Sequence, residues 1–176
     1  MNTVVIYPGR FHPFHRGHKA SYDALVKQFG EGNVYIATSG LQDADKSPFS
    51  FDDKRAMMTK LGIPSDKIVQ VKNPYQAREI TDQLTPEERA DTALVFAVSA
   101  KDAERFNFKP KKDGTPSYLQ PLPENLKKLK PMTEQGYVVI TPTVNFKVKG
   151  KDANSASEIR KLYQNGNKKR KKRVFI

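Results

Sequence analysis

Between residues 3 and 98, short apolar or β-branched runs alternate with segments of helical periodicity, and nothing else in the chain constrains its fold as tightly. Thr3, Val4, Val5, Ile6 and Tyr7 form a run suited to a buried parallel strand. Residues 16–29 place Ala20, Ala24, Leu25 and Phe29 among polar neighbours, as a helix with one buried face requires, and Gly30 and Gly32 end it. Residues 34–38 read as a second strand. Ser50 caps a helix carrying Phe51, Arg55, Met58 and Leu61, which stops at Gly62. Residues 67–72 read as a third strand and 76–84 as a helix. Thr85, Pro86 and Glu88 make a strong helix start, and the apolar run 92–98 reads as a central strand. Strands and helices in series imply an α/β fold: a Rossmann-like parallel sheet with right-handed crossovers and helices on both faces. In such sheets ligands sit beyond the carboxyl ends of the strands, so the loop after the first strand is where chemistry is expected.

After residue 107 the alternation breaks. Pro110, Pro116, Pro121, Pro123 and Pro131 punctuate a lysine-rich stretch to residue 135, with room for one short helix at 124–129. The stretch reads as an insertion over the sheet edge or the active site, partly ordered at most. Residues 137–141 resume as a strand, 144–148 offer another, and 155–163 form a final helix. A length of 176 residues suits one domain, taken as 1–166, followed by a basic tail at 167–176.

Composition narrows the function. The chain has no cysteine, which removes disulfides and thiolate metal sites. No apolar run approaches the roughly 20 residues that cross a bilayer, and no basic leader precedes the first strand, so a cytoplasmic protein without membrane contact is expected. Of the net charge of +12, the run Lys168, Lys169, Arg170, Lys171, Lys172 and Arg173 supplies six. That run reads either as a solvated tail or as a weak contact to nucleic acid through phosphates. The remaining excess suits a protein that handles small anions.

All three histidines lie within seven residues, in the block Gly9, Arg10, Phe11, His12, Pro13, Phe14, His15, Arg16, Gly17, His18. Gly9 permits a tight turn, Pro13 interrupts regular structure, and Gly17 leaves room beside the incoming helix. The helix N-terminus offers backbone N–H groups and a positive dipole to a phosphate. His15 and His18 fall on one face of its first turn, placed to donate to phosphate oxygens, and Arg10 adds a bidentate donor. Two plainer readings stand beside this one: a metal site, which lacks a nearby carboxylate, and histidines of ordinary packing.

The block resembles the G-x-F-x-P-x-H-x-G-H signature of the cytidylyltransferase-like nucleotidyltransferases, matching at every fixed position. It is most similar to the archaeal type of nicotinamide mononucleotide adenylyltransferase. The resemblance implies that His15 and His18 contact triphosphate oxygens and stabilise charge at the α-phosphate, with Gly9, Arg10, Phe11 and Gly17 shaping the nucleotide site. His12 falls at a variable position and takes no role. The stretch Asn154, Ser155, Ala156, Ser157, Glu158, Ile159, Arg160 resembles the family's second signature, Ile-Ser-Ser-Thr-x-Ile-Arg, with three positions changed. Ser155 and Glu158 are also a capping box that would start a helix whatever the function. The resemblance assigns Ser155 and Ser157 to phosphate binding and Arg160 to catalysis. It makes Lys46 and Arg55 candidate contacts to a substrate phosphate, and it sets Ser99, Ala100, Lys101 and Asp102 where the family binds nucleotide.

The implied reaction is in-line attack of an acceptor phosphate on the α-phosphorus of a nucleoside triphosphate, with pyrophosphate leaving and Mg²⁺ held mainly by substrate phosphates. ATP and nicotinamide mononucleotide are the favoured pair, although the chain has no tryptophan to stack on a nicotinamide ring. CTP with a polyol or sugar phosphate is the nearest alternative, and a non-enzymatic nucleotide- or RNA-binding module is the alternative from another class. A homo-oligomer is compatible with the family and fixed by nothing in the sequence.

Overall fold

The computed structural model describes residues 1–11, 13–40, 48–106, 108–141, 146–148 and 151–153. Its elements in order are β1 (Asn2–Pro8), α1 (Arg16–Phe29), β2 (Val34–Thr38), α2 (Phe51–Lys60), β3 (Ile68–Gln70), α3 (Arg78–Thr81), α4 (Pro86–Arg89), β4 (Thr92–Val98), α5 (Ala100–Ala103), β5 (Leu119–Pro121), β6 (Gly136–Ile140), β7 (Phe146–Val148) and β8 (Lys151–Ala153). Six strands form one sheet in the order β3-β2-β1-β4-β6-β5, and every pairing in it is parallel. β1 lies between β2 and β4, with Val5 opposite Val34 on one side and Val95 on the other. The chain therefore winds outward from β1 in two directions. The crevice above the carboxyl ends of β1 and β4 is the topological switch point, where such sheets receive ligands.

The strands alternate between two cores, as a sheet covered on both faces demands. Val5 and Tyr7 of β1 and Ala93, Val95 and Ala97 of β4 face the first, together with Tyr22 and Leu25 of α1 and Phe51 and Met58 of α2. Ile6 of β1 and Leu94, Phe96 and Val98 of β4 face the second, with Ile80 of α3 and, at its rim, Phe106 and Phe108. β4 is buried along its whole length, as its apolar run requires.

The elements depart from the sequence pattern in several places. The buried stripe of α1 is Gly17, Ser21, Tyr22 and Leu25, whereas Ala24 is exposed. The helix expected over 76–84 shrinks to α3, because Ala77 takes the left-handed conformation (φ 47°) and sets the helix start after itself. Thr85 precedes Pro86, which holds it extended (ψ 162°), so α3 cannot run on into α4. The stretch 107–135 is not merely irregular: it adds β5 to the sheet edge. Pro121 obscures that strand in the sequence, yet an edge strand pairs on one side only and tolerates proline. β7 and β8 form a separate antiparallel pair, and of the two only β7 falls on a run with a strand pattern. The helix expected at 155–163 lies outside the described residues.

Candidate active site

The loop between β1 and α1 is built around a close approach of backbone and ring. The Gly9 N–H donates to the Ala37 carbonyl at 3.1 Å, holding the end of β1 against β2. A Cβ on Gly9 would meet three atoms of the Phe11 ring at 2.9–3.1 Å, so only glycine fits beneath it. Phe11 itself takes the left-handed conformation (φ 47°), which costs a bulky residue roughly 1–3 kcal/mol. Packing holds it there. Its ring is buried and meets Tyr7 and Phe14 edge-on at 5.2 Å each and His18 at 5.0 Å. Gly9 and Phe11 thus act on this site through shape: Phe11 is the buttress against which His18 stands.

The two histidines cap the helix reciprocally. His15 is the N-cap of α1, and its Nδ1 accepts from the backbone N–H of Gly17 at 3.0 Å and of His18 at 3.4 Å. The His15 N–H in turn donates to Nδ1 of His18 at 3.2 Å. The rings stack with centroids 3.6 Å apart. Because both Nδ1 atoms accept, the ring proton of each neutral imidazole belongs on Nε2. Burial holds His15 far below the ordinary histidine value of 6.5, at about 3, so its imidazole is neutral at physiological pH. The backbone N–H groups of Gly17 and His18, which the sequence offers to a phosphate, are taken by His15. With Nδ1 engaged on both rings, Nε2 is the remaining donor position of each, and that of His15 is buried.

Beside this loop lies a residue that the family signatures do not single out. Lys54 of α2 is wholly buried, and its Nζ donates to the Ser39 carbonyl at 3.0 Å and reaches the Thr38 Oγ1 at 3.5 Å. The Thr38 hydroxyl donates to the Arg10 carbonyl at 3.1 Å, so the ends of β1 and β2 and the lysine are tied together. Burial, and then the positive charge of Arg10, lower the Lys54 ammonium to about 8. A cation at such depth, with oxygen acceptors but no carboxylate among these contacts, suits an anionic ligand. A signal for it exists in the sequence: Phe51, Lys54 and Met58 fall on one helical stripe, and a lysine between two apolar residues of a buried face is out of place on surface grounds.

Arg55, the candidate that the resemblance favours on this helix, stacks on Phe51 at 4.8 Å and reaches the Ile68 carbonyl at 3.5 Å. Ile68 opens the short strand β3, and through Ile36 it is level with Tyr7 near the carboxyl end of β1. Arg10 is exposed at the loop. Its charge acts on both Lys54 and Tyr75, from β2's flank to the loop after β3. Lys46, Ser155, Ser157 and Arg160 lie outside the described residues, as does His12.

Two further features border the crevice. An open cleft of about 630 Å³ extends from Ser39 and Gly40 to Gln70, Val71, Lys72 and Glu79, beyond the ends of β2 and β3. The end of the Gln70 side chain occupies the space beside Gly40 at the cleft wall. On the β4 side Ser99 caps α5, and the Tyr75 hydroxyl donates to Asp102 at 3.0 Å while Arg105 lies over the Tyr75 ring at 4.8 Å. Burial and the Asp102 carboxylate push the Tyr75 phenol up to about 12, which keeps it a donor.

The chain is thus a Rossmann-like α/β protein whose first crossover loop carries two reciprocally bonded imidazoles at the switch point. The chain matches the family described as cytidylyltransferase-like over residues 6–165, and it belongs to that family. It is 34% identical over 55 residues to a nicotinamide-nucleotide adenylyltransferase of Methanocorpusculum labreanum, a match that covers 31% of this chain and 33% of that protein. A bifunctional NMN adenylyltransferase/ADP ribose pyrophosphatase from Francisella tularensis shares the fold at a TM-score of 0.57 and 19% identity, covering 97% of this chain and 44% of that one. A structure of that protein complexed with AMP and a manganese ion aligns at 0.51 and 20% identity over the same shares. The match thus spans about a third of the archaeal relative, and the chain covers less than half of the Francisella protein. Among the described residues no helix is long and apolar enough to cross a membrane.

Proposed function

We propose that this chain transfers a nucleoside monophosphate from a nucleoside triphosphate to a phosphate-bearing acceptor, with ATP and nicotinamide mononucleotide as the substrate pair. The observation that carries the reading is the reciprocal capping of His15 and His18, which fixes two stacked imidazoles at the start of α1, in the loop that follows β1. An acceptor phosphate oxygen attacks the α-phosphorus. A new phosphorus–oxygen bond forms as the bond to the β-phosphate breaks, and pyrophosphate leaves with the electron pair. The acceptor oxygen is already ionised, so the protein supplies position and charge rather than a nucleophile.

In this reading His15 and His18 donate to the triphosphate together with Arg10, and the family resemblance gives Arg160, Ser155 and Ser157 of the second signature a share in holding it. Gly9, Phe11 and Gly17 fix the loop. Lys54 joins this set as the cation under the anionic substrates, in the role that the family resemblance gives to Lys46 and Arg55. The described groups at the loop are hydrogen-bond donors and cations, a set that fits phosphate oxygens rather than a bare metal ion. A divalent cation, Mg²⁺ in the first instance, fits here as a complex with the triphosphate, where it neutralises charge on the phosphate oxygens. The manganese and AMP in the Francisella structure support this choice. The archaeal relative's name supports the acceptor. A cytoplasmic setting follows from that substrate pair.

Pyrophosphate release in the presence of Mg²⁺, with ATP and CTP each offered nicotinamide mononucleotide, glycerol 3-phosphate and a sugar phosphate, tests the proposal. Turnover with ATP and nicotinamide mononucleotide that vanishes in His18→Ala is the expected result. Turnover with CTP alone would move the assignment to a cytidylyltransferase. A folded protein that binds nucleotide and releases no pyrophosphate with any pair would overturn the enzymatic reading.

A further inference from the structure

A second surface lies at the opposite pole of the sheet from the histidine loop. β5 and β6 run parallel, with Leu119 opposite Gly136 at their first residues, so Tyr118 stands at the amino end of the sheet's edge. The histidine loop follows the last residue of β1, at the carboxyl end. Tyr118 is 40% exposed, unusual for a ring held at one end. Its hydroxyl donates to the Met132 carbonyl at 2.6 Å. A Cβ on Gly136 would lie 2.7 Å from its Cε2 and 3.3 Å from its Cζ, so the ring rests on bare backbone. The ring is fixed in place and remains open to solvent.

Lysines flank it along the chain. From residue 109 to residue 130 the chain has six lysines against two acids, Asp113 and Glu124. Lys111 and Lys112 sit in a turn closed by Lys111 N–H to Thr115 O at 2.7 Å and Gly114 N–H to Lys111 O at 2.9 Å. The Ser117 hydroxyl bonds to the Lys109 carbonyl and ties this turn to the residue before Tyr118. Lys130 belongs to the other face of the sheet: its N–H donates to the Tyr137 hydroxyl at 2.7 Å, and Tyr137 points away from the face on which Tyr118 covers Gly136. Lys111, Lys112, Lys127, Lys128 and Lys130 are all exposed. Asp113 faces Lys111, and its carboxylate accepts from the Thr115 N–H and hydroxyl at 3.0 and 2.6 Å.

We propose that this edge binds single-stranded nucleic acid, with a base stacked on Tyr118 and the backbone phosphates met by the lysines of the turn. A fixed, solvent-open ring among cations is what unpaired bases use, because every base has a π-face whatever its sequence. A membrane surface would need a broader apolar face than one ring supplies. Because the patch is at the pole opposite the histidine loop, a bound strand leaves the catalytic crevice free.

The test is fluorescence anisotropy of a labelled oligouridylate with the full chain, over a series of salt concentrations, alongside the pyrophosphate assay. Replacing Lys111 and Lys112 together by glutamate should weaken binding strongly and flatten the log–log salt slope by about 1.4, at roughly 0.7 for each phosphate that is no longer neutralised. Tyr118→Ala should weaken binding roughly ten-fold while Tyr118→Phe, which keeps the ring, stays near wild type. Pyrophosphate release should be unchanged in all of them. The lysine substitutions are on exposed side chains, so they read out binding even if Tyr118→Ala disturbs the edge. No binding by the full chain overturns the proposal. So does binding indifferent to these substitutions, which would assign it to the basic run at 168–173. So does a Tyr118→Phe loss equal to that of Tyr118→Ala.

Discussion

At His15 the two ring nitrogens are committed to different tasks. Nδ1 caps α1, and Nε2 carries the proton that the proposed chemistry uses. The tasks separate by substitution. His15→Ala loses both, and the lost cap alone costs about 0.5–2 kcal/mol. His15→Asn keeps a capping oxygen and loses the Nε2 donor. Asn is therefore predicted to melt close to wild type yet, like Ala, to turn over orders of magnitude more slowly, as chemical denaturation and pyrophosphate release would show. Equal activity in His15→Asn and wild type would remove the histidine from the mechanism. The pH dependence has a definite sign. The folded value near 3 lies below the unfolded 6.5, so the unfolded chain binds the extra proton in that interval. Stability from neutral His15 is complete above about pH 6.5 and is lost as the pH falls from there towards 3, a decline that His15→Asn should lack. Lys54 follows the same rule at higher pH. Its folded value near 8 lies below the ordinary 10.5, so its burial penalty is full below about pH 8 and is relieved as the pH rises to 10.5. Lys54→Met is predicted to raise the thermal midpoint at pH 7, to lose that advantage towards pH 10.5, and to raise KM for the anionic substrates. A lowered midpoint at pH 7 would mean that the Ser39 contact outweighs the cost of burying the charge.

At the scale of elements, the sequence is most legible where pattern and terminus agree. α1 and β2 occupy the residues that periodicity and Gly30 assign them, and β4 is the central, fully buried strand that its apolar run implies. Legibility fails where a single backbone conformation overrides the pattern, as Ala77 does at the start of α3, and where β5 draws its pairing from the sheet edge rather than from its own residues. The histidine pair can be read because its residue types and spacing are rare in this chain. Lys54 is hidden because a lysine in a helix reads as surface until its neighbours Phe51 and Met58 are seen to be buried. The loop before α1 carries an element-scale prediction. Gly9→Ala must displace the Phe11 ring, and Phe11 positions His18, so the loss should appear in turnover as well as in stability, the latter by about 1–3 kcal/mol. Combining Gly9→Ala with Phe11→Leu, which removes part of the ring's bulk, should recover stability without recovering activity. Full activity in Gly9→Ala would show that His18 does not depend on the buttress.

For the whole molecule, the proposed ligand should bind the folded state alone, because its contacts come from chain segments far apart in sequence. The His15 and His18 donors follow β1, Lys54 sits on α2, and the proposed partner Arg160 lies more than a hundred residues later. No unfolded chain holds these together. A nucleotide at a hundred times its dissociation constant then adds about 2.7 kcal/mol to stability. For a chain of 176 residues that corresponds to a rise in Tm of roughly 5–10 °C. The charge balance sets a further condition. His15 is neutral, so among the described residues the charge set against a triphosphate comes from Arg10 and Lys54, which do not balance it, and a divalent ion supplies the remainder. ATP with Mg²⁺ is therefore predicted to raise Tm by that amount, Mn²⁺ should serve in its place, and excess chelator should remove most of the shift while leaving the melt of the free protein where it was. A free-protein melt that falls with chelator would instead reveal a metal bound by the chain itself. An ATP shift indifferent to chelator would mean that protein cations alone balance the triphosphate.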